Sequence, residues 1–480
     1  MSFKPIKNKF ISTIIGTLAI YIGVAFILPL NNFSVYITSY IHLAQPYVTM
    51  HYGMFINLIF SFSNSFSHPL GGYIENYIGF KKTILLGFSI LFIGNLIFIF
   101  QQNIWLCYFL AIILGIGTGI GTSVLGKNIT FYSPKKKGMI SGIMGLGILL
   151  ITSTFALTGE KIISYGGYTL KKDEKFYPEN IAKRTYIYFL VGEICIPIAL
   201  ILARIFIYEY KPEENQQEPV IEQKVPNEDK PKPVLNTEQK ERNEFQNNFK
   251  KQNVLQAIKT FRYLRITAIS FFINFSISFM INTGRTFGAL IGIDGSALQF
   301  FMIIQAISLI IVGPILGVLV DKKGSLFILR IVAFSSIIPG VLLCFFMDIT
   351  WVFILALTIC TLNITGLMVS FGPFIMEVFG IQESVILGGI INGFSKLADL
   401  ITTIVAFVFS LKYVEVNELK IPYRIMYIIS AICCSMSTCL LLIEKNEKFA
   451  YKNKLIEESL TKYEMKKIET NNNDSFKTEA

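Results

Sequence analysis

Charge is what this 480-residue chain has least of: 16% of its residues are Asp, Glu, Lys or Arg, against about 25% in soluble domains. With 52% hydrophobic residues and a mean hydropathy of +0.55, that shortage excludes an ordinary water-soluble globule. Histidine is scarcer still. His42, His51 and His68 are too scattered for a metal site or a triad, and no glycine-rich phosphate loop of the Walker type occurs. An enzyme and an ATP-driven pump are therefore disfavoured, and neither cofactor nor metal is expected; energy for work has to come from a gradient. The seven cysteines sit inside apolar segments at spacings unsuited to a metal or a disulfide framework, and read as small core residues. The net charge of +11 raises nucleic acid as a partner, yet the basic residues lie between apolar runs and form no stripe or reader motif.

What the chain has in quantity is uninterrupted apolar sequence. A helix needs about 20 apolar residues to cross hydrocarbon, and twelve such runs are present: 11–33, 51–73, 83–100, 104–132, 139–158 and 186–207, then 266–291, 298–320, 326–346, 351–374, 385–411 and 423–443. The first is too long for a signal-peptide core and lacks a small-residue cleavage site, so it reads as a retained helix. Lysines and arginines favour the cytoplasmic side in short loops. Lys81, Lys82, the 135–137 lysines, Lys322, Lys323, the N-terminal lysines and the tail share one side if both termini are cytoplasmic. The opposing loops at 31–50, 101–103 and 347–350 carry no Lys or Arg, while 159–184 dissents with several lysines among acids.

The runs divide the chain into a first six-helix bundle (1–208), a polar linker (209–262), a second bundle (263–444) and a charged, Asn-rich tail expected to be disordered (445–480). The end of the linker, 245–265, interleaves Phe, Leu and Ile with Lys and Arg. That pattern suits either a helix lying in an anionic membrane surface or a solvated helix start.

The halves also share a motif. Gly317-Val318-Leu319-Val320-Asp321-Lys322-Lys323-Gly324 follows the second apolar run of its half, and a degraded copy from Gly72 through Glu75, Asn76 and Gly79 to Lys81 and Lys82 occupies the equivalent place in the first. Each copy places a carboxylate or its substitute at a helix end, then a glycine turn, then cations. An acid so placed can engage a neighbouring helix terminus and act as a latch on one side of the membrane.

Inside the apolar runs three ionisable positions stand out. An ammonium at a helix centre costs about 2.5 to 3.5 kcal/mol on insertion scales and persists mostly where it faces a cavity or a partner. Lys396 has Asn392 and Asp399 one turn away on its own face. It either holds an anionic substrate or is neutralised by Asp399 within the helix. Arg285, flanked by Gly284 and Gly288, can grip a carboxylate in bidentate fashion or snorkel to the surface. Glu193 is a proton-coupling group or an inert carboxyl hydrogen-bonded within the bundle. Ser61, Ser63, Asn64, Ser65 and Ser67 offer hydrogen bonds along the second run, and Gly115, Gly117, Gly119 and Gly121 in the fourth permit close packing.

Gly317, Leu319, Asp321, Lys322 and Gly324 resemble the cytoplasmic loop signature of the major facilitator superfamily, which recurs between helices two and three and between eight and nine. The resemblance extends over the whole twelve-span layout; the first copy departs from it, with Asn76 in place of Asp beside Glu75. The stretch from Phe131 through Pro134 and Lys135 to Gly142 is similar to the entry to helix five in the oxalate/formate antiporter and monocarboxylate transporter families. Glu377-Val378-Phe379-Gly380 is similar to the acid-x-Phe-Gly of the same group, and Lys396 falls where the oxalate/formate antiporters carry a substrate-facing lysine. The arginine that family carries before the proline of helix eight is Gly313 here. The resemblance implies an all-α membrane fold of two pseudo-symmetric six-helix bundles. It also implies secondary transport of a small organic anion such as oxalate, formate, lactate or pyruvate, by exchange or with protons, by a monomer in the bilayer. Arg285 is a candidate replacement for the cation missing at Gly313. A carrier of sugars or amino acids, and a non-transporting receptor whose output is the linker and tail, are the competing readings.

Overall fold

Hydrocarbon offers backbone groups no hydrogen bonds, so a chain crossing it has to pair its own N–H and C=O groups within helices or a closed barrel. In the computed structural model every regular element among the described residues is helical. The described residues are 9–133, 136–164, 176–210, 254–290, 293, 310–381, 383–412 and 416–444, less the side chains at 31–32, 50–51, 54, 149, 282–283, 285–286, 289–290, 407, 410–412, 416–417 and 419.

The first half holds α1 (Lys9–Ala25), α2 (Leu30–Ala44), α3 (Met50–Ile78), α4 (Phe80–Phe100), α5 (Ile104–Ser123), α6 (Leu125–Tyr132), α7 (Lys137–Ile163), the short α8 (Glu179–Ala182) and α9 (Thr185–Phe206). The second holds α10 (Phe261–Leu290), α11 (310–323), α12 (Ser325–Ser335), α13 (Ile337–Phe346), α14 (Thr350–Phe379), α15 (Ser384–Lys412) and α16 (Val416–Ile443). Among the described residues nine helices are long and apolar enough to cross a membrane. With the α1–α2 pair, α3 and α11, whose expected stretch 298–309 lies outside the described residues, they account for the twelve passes that the apolar runs predict.

Three of those runs are broken, each for a local reason. Between α1 and α2 the chain turns at 26–29, where Pro29 has no N–H to continue the ladder. Helix then resumes to Ala44, so most of the expected loop at 31–50 is helical. The fourth run bends at Val124, after Thr122 and Ser123 turn their hydroxyls onto the carbonyls of Thr118 and Ile120. The ninth bends at Ser336, whose hydroxyl bonds the Val332 carbonyl, and Pro339 lacks the N–H that Ser335 would have received.

The repeated loops are built alike. α3 ends at Gly79 (φ +84°) and α11 at Gly324 (φ +93°), a backbone conformation that favours glycine, and each glycine N–H closes the preceding turn onto Glu75 or Val320 at 2.9 Å. Gly380 (φ +90°) repeats the device between α14 and α15.

Each half packs its own core: Phe26, Phe33, Phe60, Phe88, Tyr188 and their neighbours in the first, and two clusters centred on Ile269, Leu329 and Val369 and on Phe279, Phe353 and Tyr427 in the second. The four glycines of α5 serve two faces of one helix. Gly115 and Gly119 admit α3, where an added Cβ would lie 2.6 and 2.3 Å from the Phe60 and Asn64 carbonyl oxygens; Gly117 and Gly121 admit α4. Where Tyr208 to Tyr210 leave α9, Asn128 grips them on both sides, giving Nδ2–H to the Tyr208 carbonyl and taking the Tyr210 N–H.

Candidate functional site

The two halves meet near the face on which Lys9 and Glu444 lie, along two seams. In the first, α3 runs against α15. An added Cβ at Gly72 would lie 2.7 Å from Val385 and one at Gly389 2.7 Å from Pro69, while Gly393 faces the ring of Phe66. The Asn392 amide donates to Ser65 Oγ across this seam at 3.4 Å. In the second, α7 runs against α11 at backbone contact. A Cβ on Gly138 would lie 2.5 Å from the Gly317 oxygen, and one on Gly142 2.9 Å from that of Gly313. Gly313, where the family resemblance places an arginine, thus belongs to this contact.

The second-half loop closes onto that seam. The first N–H groups of a helix have no partner within it and carry the positive end of its dipole. At the start of α7 the Gly138 and Met139 N–H groups donate to Asp321 Oδ1 and Oδ2 at 2.7 and 2.8 Å. Beside them Lys137 pairs with Glu377 of α14 at 2.9 Å, and Glu377 also accepts from Ser325 of α12. Two carboxylates of the second half therefore hold one helix start of the first. The first-half loop does otherwise: Asn76 is exposed, and Glu75 pairs with Lys127 of α6 at 2.8 Å within its own bundle. Lys81 and Lys322 are exposed on the same face.

Lys396 lies on α15 one turn beyond Asn392, the residue that bonds Ser65 of α3. Its Nζ donates to Asp399 Oδ2 at 2.6 Å, and its side chain is 32% exposed against 11% for Asp399. Asp399 is further held by the Ser278 hydroxyl of α10, and Ser270 and Ser395 join the same helices nearer their N-terminal ends. Lys396 is thus both neutralised along its own helix and partly open. Ser278 is a participant that sequence reasoning missed; Ser270, Asn274 and Ser278 recur at four-residue intervals, and that polar stripe was the available signal.

The remaining positions lie apart. Glu193, on α9, accepts the Asn95 amide of α4 at 2.7 Å inside the first bundle, away from both seams. Arg285 falls on α10, and its side chain lies outside the described residues. No group of three or more His, Cys, Asp or Glu suited to a metal ion occurs among the described residues.

Helices long enough to cross a bilayer, gathered in two bundles that repeat one loop and meet along paired seams, define a multi-pass membrane protein of duplicated design. The family model of the Major Facilitator Superfamily matches residues 10–403, and the chain belongs to that superfamily of membrane transporters. No curated protein matches it. Among solved structures it is similar to the proton:xylose symporter XylE (14% identity, TM-score 0.64, 90% of this chain and 94% of that one). It is also similar to the human organic anion transporter MFSD10 (12%, 0.59, 91% and 100%) and to FucP in the outward conformation (13%, 0.59, 90% and 99%). At these identities the likeness is one of fold.

Proposed function

We propose that the protein is a secondary transporter of a small organic anion, a mono- or dicarboxylate, working by alternating access as an exchanger or a proton symporter. The observation that supports this reading is Lys396 itself: a part-open ammonium one turn along α15 from Asn392, whose amide meets Ser65 of α3 across the halves. A carboxylate arriving there competes with Asp399 for the ammonium, and Asn392 and Ser65 supply neighbouring polar groups. Arg285 is the second cation of the site, with Asp399 as the group that balances charge or couples protons. The loops carrying Asp321 and Gly317, and Gly72 and Asn76, act as gates on the face with the termini, which by the distribution of lysines is cytoplasmic. The chain works as a monomer, without cofactor and without enzymatic chemistry, and the motifs around Pro134, Glu377 and Lys396 support kinship with the oxalate/formate and monocarboxylate carriers.

The test is uptake into proteoliposomes preloaded with candidate carboxylates, with and without a proton gradient. Stimulation by internal carboxylate alone means exchange, and stimulation by the gradient means symport. Lys396→Ala combined with Asp399→Asn leaves no unpaired buried charge and is expected to abolish carboxylate uptake; full uptake in that variant overturns the site.

A second reading has its own support. The 2.6 Å bond between Lys396 and Asp399 suits a carrier of a neutral solute in which the pair is only structural, and one structural neighbour is a proton:xylose symporter. Uptake of a sugar or amino acid that survives the double variant would establish it.

A further inference from the structure

Away from both seams, on the face with the chain ends, two arginines converge on one carboxylate and a third closes the helix end that carries it. Arg262 Nε and Arg265 Nη1, at the start of α10, donate to the two oxygens of Glu444 at 2.6 and 3.2 Å. Arg330 of α12 donates to the Leu441 and Glu444 carbonyls at 3.1 and 2.7 Å, closing the end of α16. The Glu444 side chain is 2% exposed, whereas those of Arg262 and Arg265 keep 21% and 19%. The carboxylate is therefore an internal anchor that aims the guanidiniums, and the cluster as a whole keeps a surplus of positive charge at its open side. Lys259, exposed just ahead of α10, adds to it.

The surface beside this charge is apolar. Phe261 and Leu264 are 75% and 58% exposed and share a face with Arg265, whose guanidinium lies 5.4 Å from the Phe261 ring centroid. Leu255, on the short helix at 254–258, is also exposed, while Val254, Ala257 and Ile258 of that helix pack onto the core of the second half. The segment thus lies across the ends of the spanning helices with one face in protein. Cations at the level where spans end, with bare Phe and Leu beside them, match the two halves of a phospholipid: a phosphate in reach of the arginines and acyl chains along Phe261 and Leu264. A soluble anion has no use for that apolar face.

We propose that Arg262, Arg265 and Lys259, anchored by Glu444, bind the headgroup of an anionic phospholipid, with Phe261 and Leu264 as its acyl-chain contact. The site is remote from Lys396 and stands whether or not the carboxylate reading does.

The test uses the full chain, purified in non-ionic detergent, stripped of lipid and titrated with phosphatidylglycerol, phosphatidylcholine or glycerol phosphate. Retained lipid is counted by native mass spectrometry and thermal unfolding is followed in parallel. Phosphatidylglycerol is expected to be retained about tenfold or more over phosphatidylcholine. Arg262→Gln with Arg265→Gln and Glu444→Gln removes two cations while leaving no unpaired carboxylate, and is expected to weaken phosphatidylglycerol retention about thirtyfold. A second variant, Lys259→Gln with Phe261→Gln and Leu264→Gln, changes exposed side chains only and carries the test if the first fails to fold; it is expected to lower retention of both lipids and to reduce the preference about fivefold. Equal retention of the two lipids, an unchanged preference in the folded variants, or stabilisation by glycerol phosphate equal to that by phosphatidylglycerol would each overturn the proposal.

Discussion

Asp321 and Gly138 belong to different halves of the chain, yet the carboxylate of one lies 2.7 Å from the backbone nitrogen of the other, with Met139 N at 2.8 Å from its second oxygen. Two N–H donors at a helix start, facing an acid, form a bond that exists only while the halves touch on this side. It stabilises one arrangement of the carrier over any other.

Asp321→Asn removes the charge and turns an amide donor toward N–H groups. Hydrogen bonds to a charged partner contribute about 1.5 to 3 kcal/mol, so the closed arrangement should lose population by about thirtyfold. Cysteine accessibility along α7 and α11, read beside the transport rate, checks this; the set of competing solutes should not change. Asn76→Ala, at an exposed position outside both seams, should leave rate and accessibility near wild type. A larger loss from the first loop than from the second would contradict the asymmetry between them.

Two glycine substitutions of identical chemistry should part ways. Gly119→Ala places a Cβ 2.3 Å from the Asn64 backbone oxygen inside the first bundle, and overpacking of that kind costs about 1 to 3 kcal/mol. Its signature is a lower unfolding temperature. Gly138→Ala places a Cβ 2.5 Å from the Gly317 oxygen across the halves, which can separate. Its signature is a shifted conformational population with the unfolding temperature largely kept.

Asp399 competes with any anion for Lys396. A partly exposed ion pair is worth about 1 kcal/mol, so Asp399→Asn should lower the half-saturating carboxylate concentration about fivefold. An unchanged concentration would mean that the lysine never leaves its neighbour.

Glu193 has a local explanation in the Asn95 amide. Glu193→Gln should fold normally and keep the full response of uptake to a proton gradient, while Glu193→Leu leaves the Asn95 amide only its bond to the Phe189 carbonyl and lowers the unfolding temperature. Loss of the gradient response in the Gln variant would instead make Glu193 the coupling group.

Much of this architecture was legible in the residues. Long apolar runs mark spans because lipid demands them, and the recurrence of glycine seven residues after Gly72 and Gly317 marks the same positive-φ turn twice. The bends at Val124 and Ser336 were harder to read, since hydroxyl groups that turn back onto their own helix look no different in sequence from those facing a partner. What Asp321 binds was not legible at all: an acid at a helix end advertises a bond to some helix start, and only the packing decides that it is α7. The same holds for Lys396, whose spacing to Asp399 shows that they can meet along the helix but not that Ser278 reaches the same carboxylate from α10.

The grip of Asn128 on Tyr208 and Tyr210 gives the chain beyond it a mechanical boundary. Thr13 also accepts the Tyr208 N–H, so the strand leaving α9 is moored to α1 and α6 before it departs. Any load entering through the following segment ends at that mooring and does not travel into α9. Replacing residues 212–250 with a flexible spacer of equal length should therefore leave uptake near wild type, whereas Asn128→Ala, by slipping the mooring, should make the carrier sensitive to how long that spacer is.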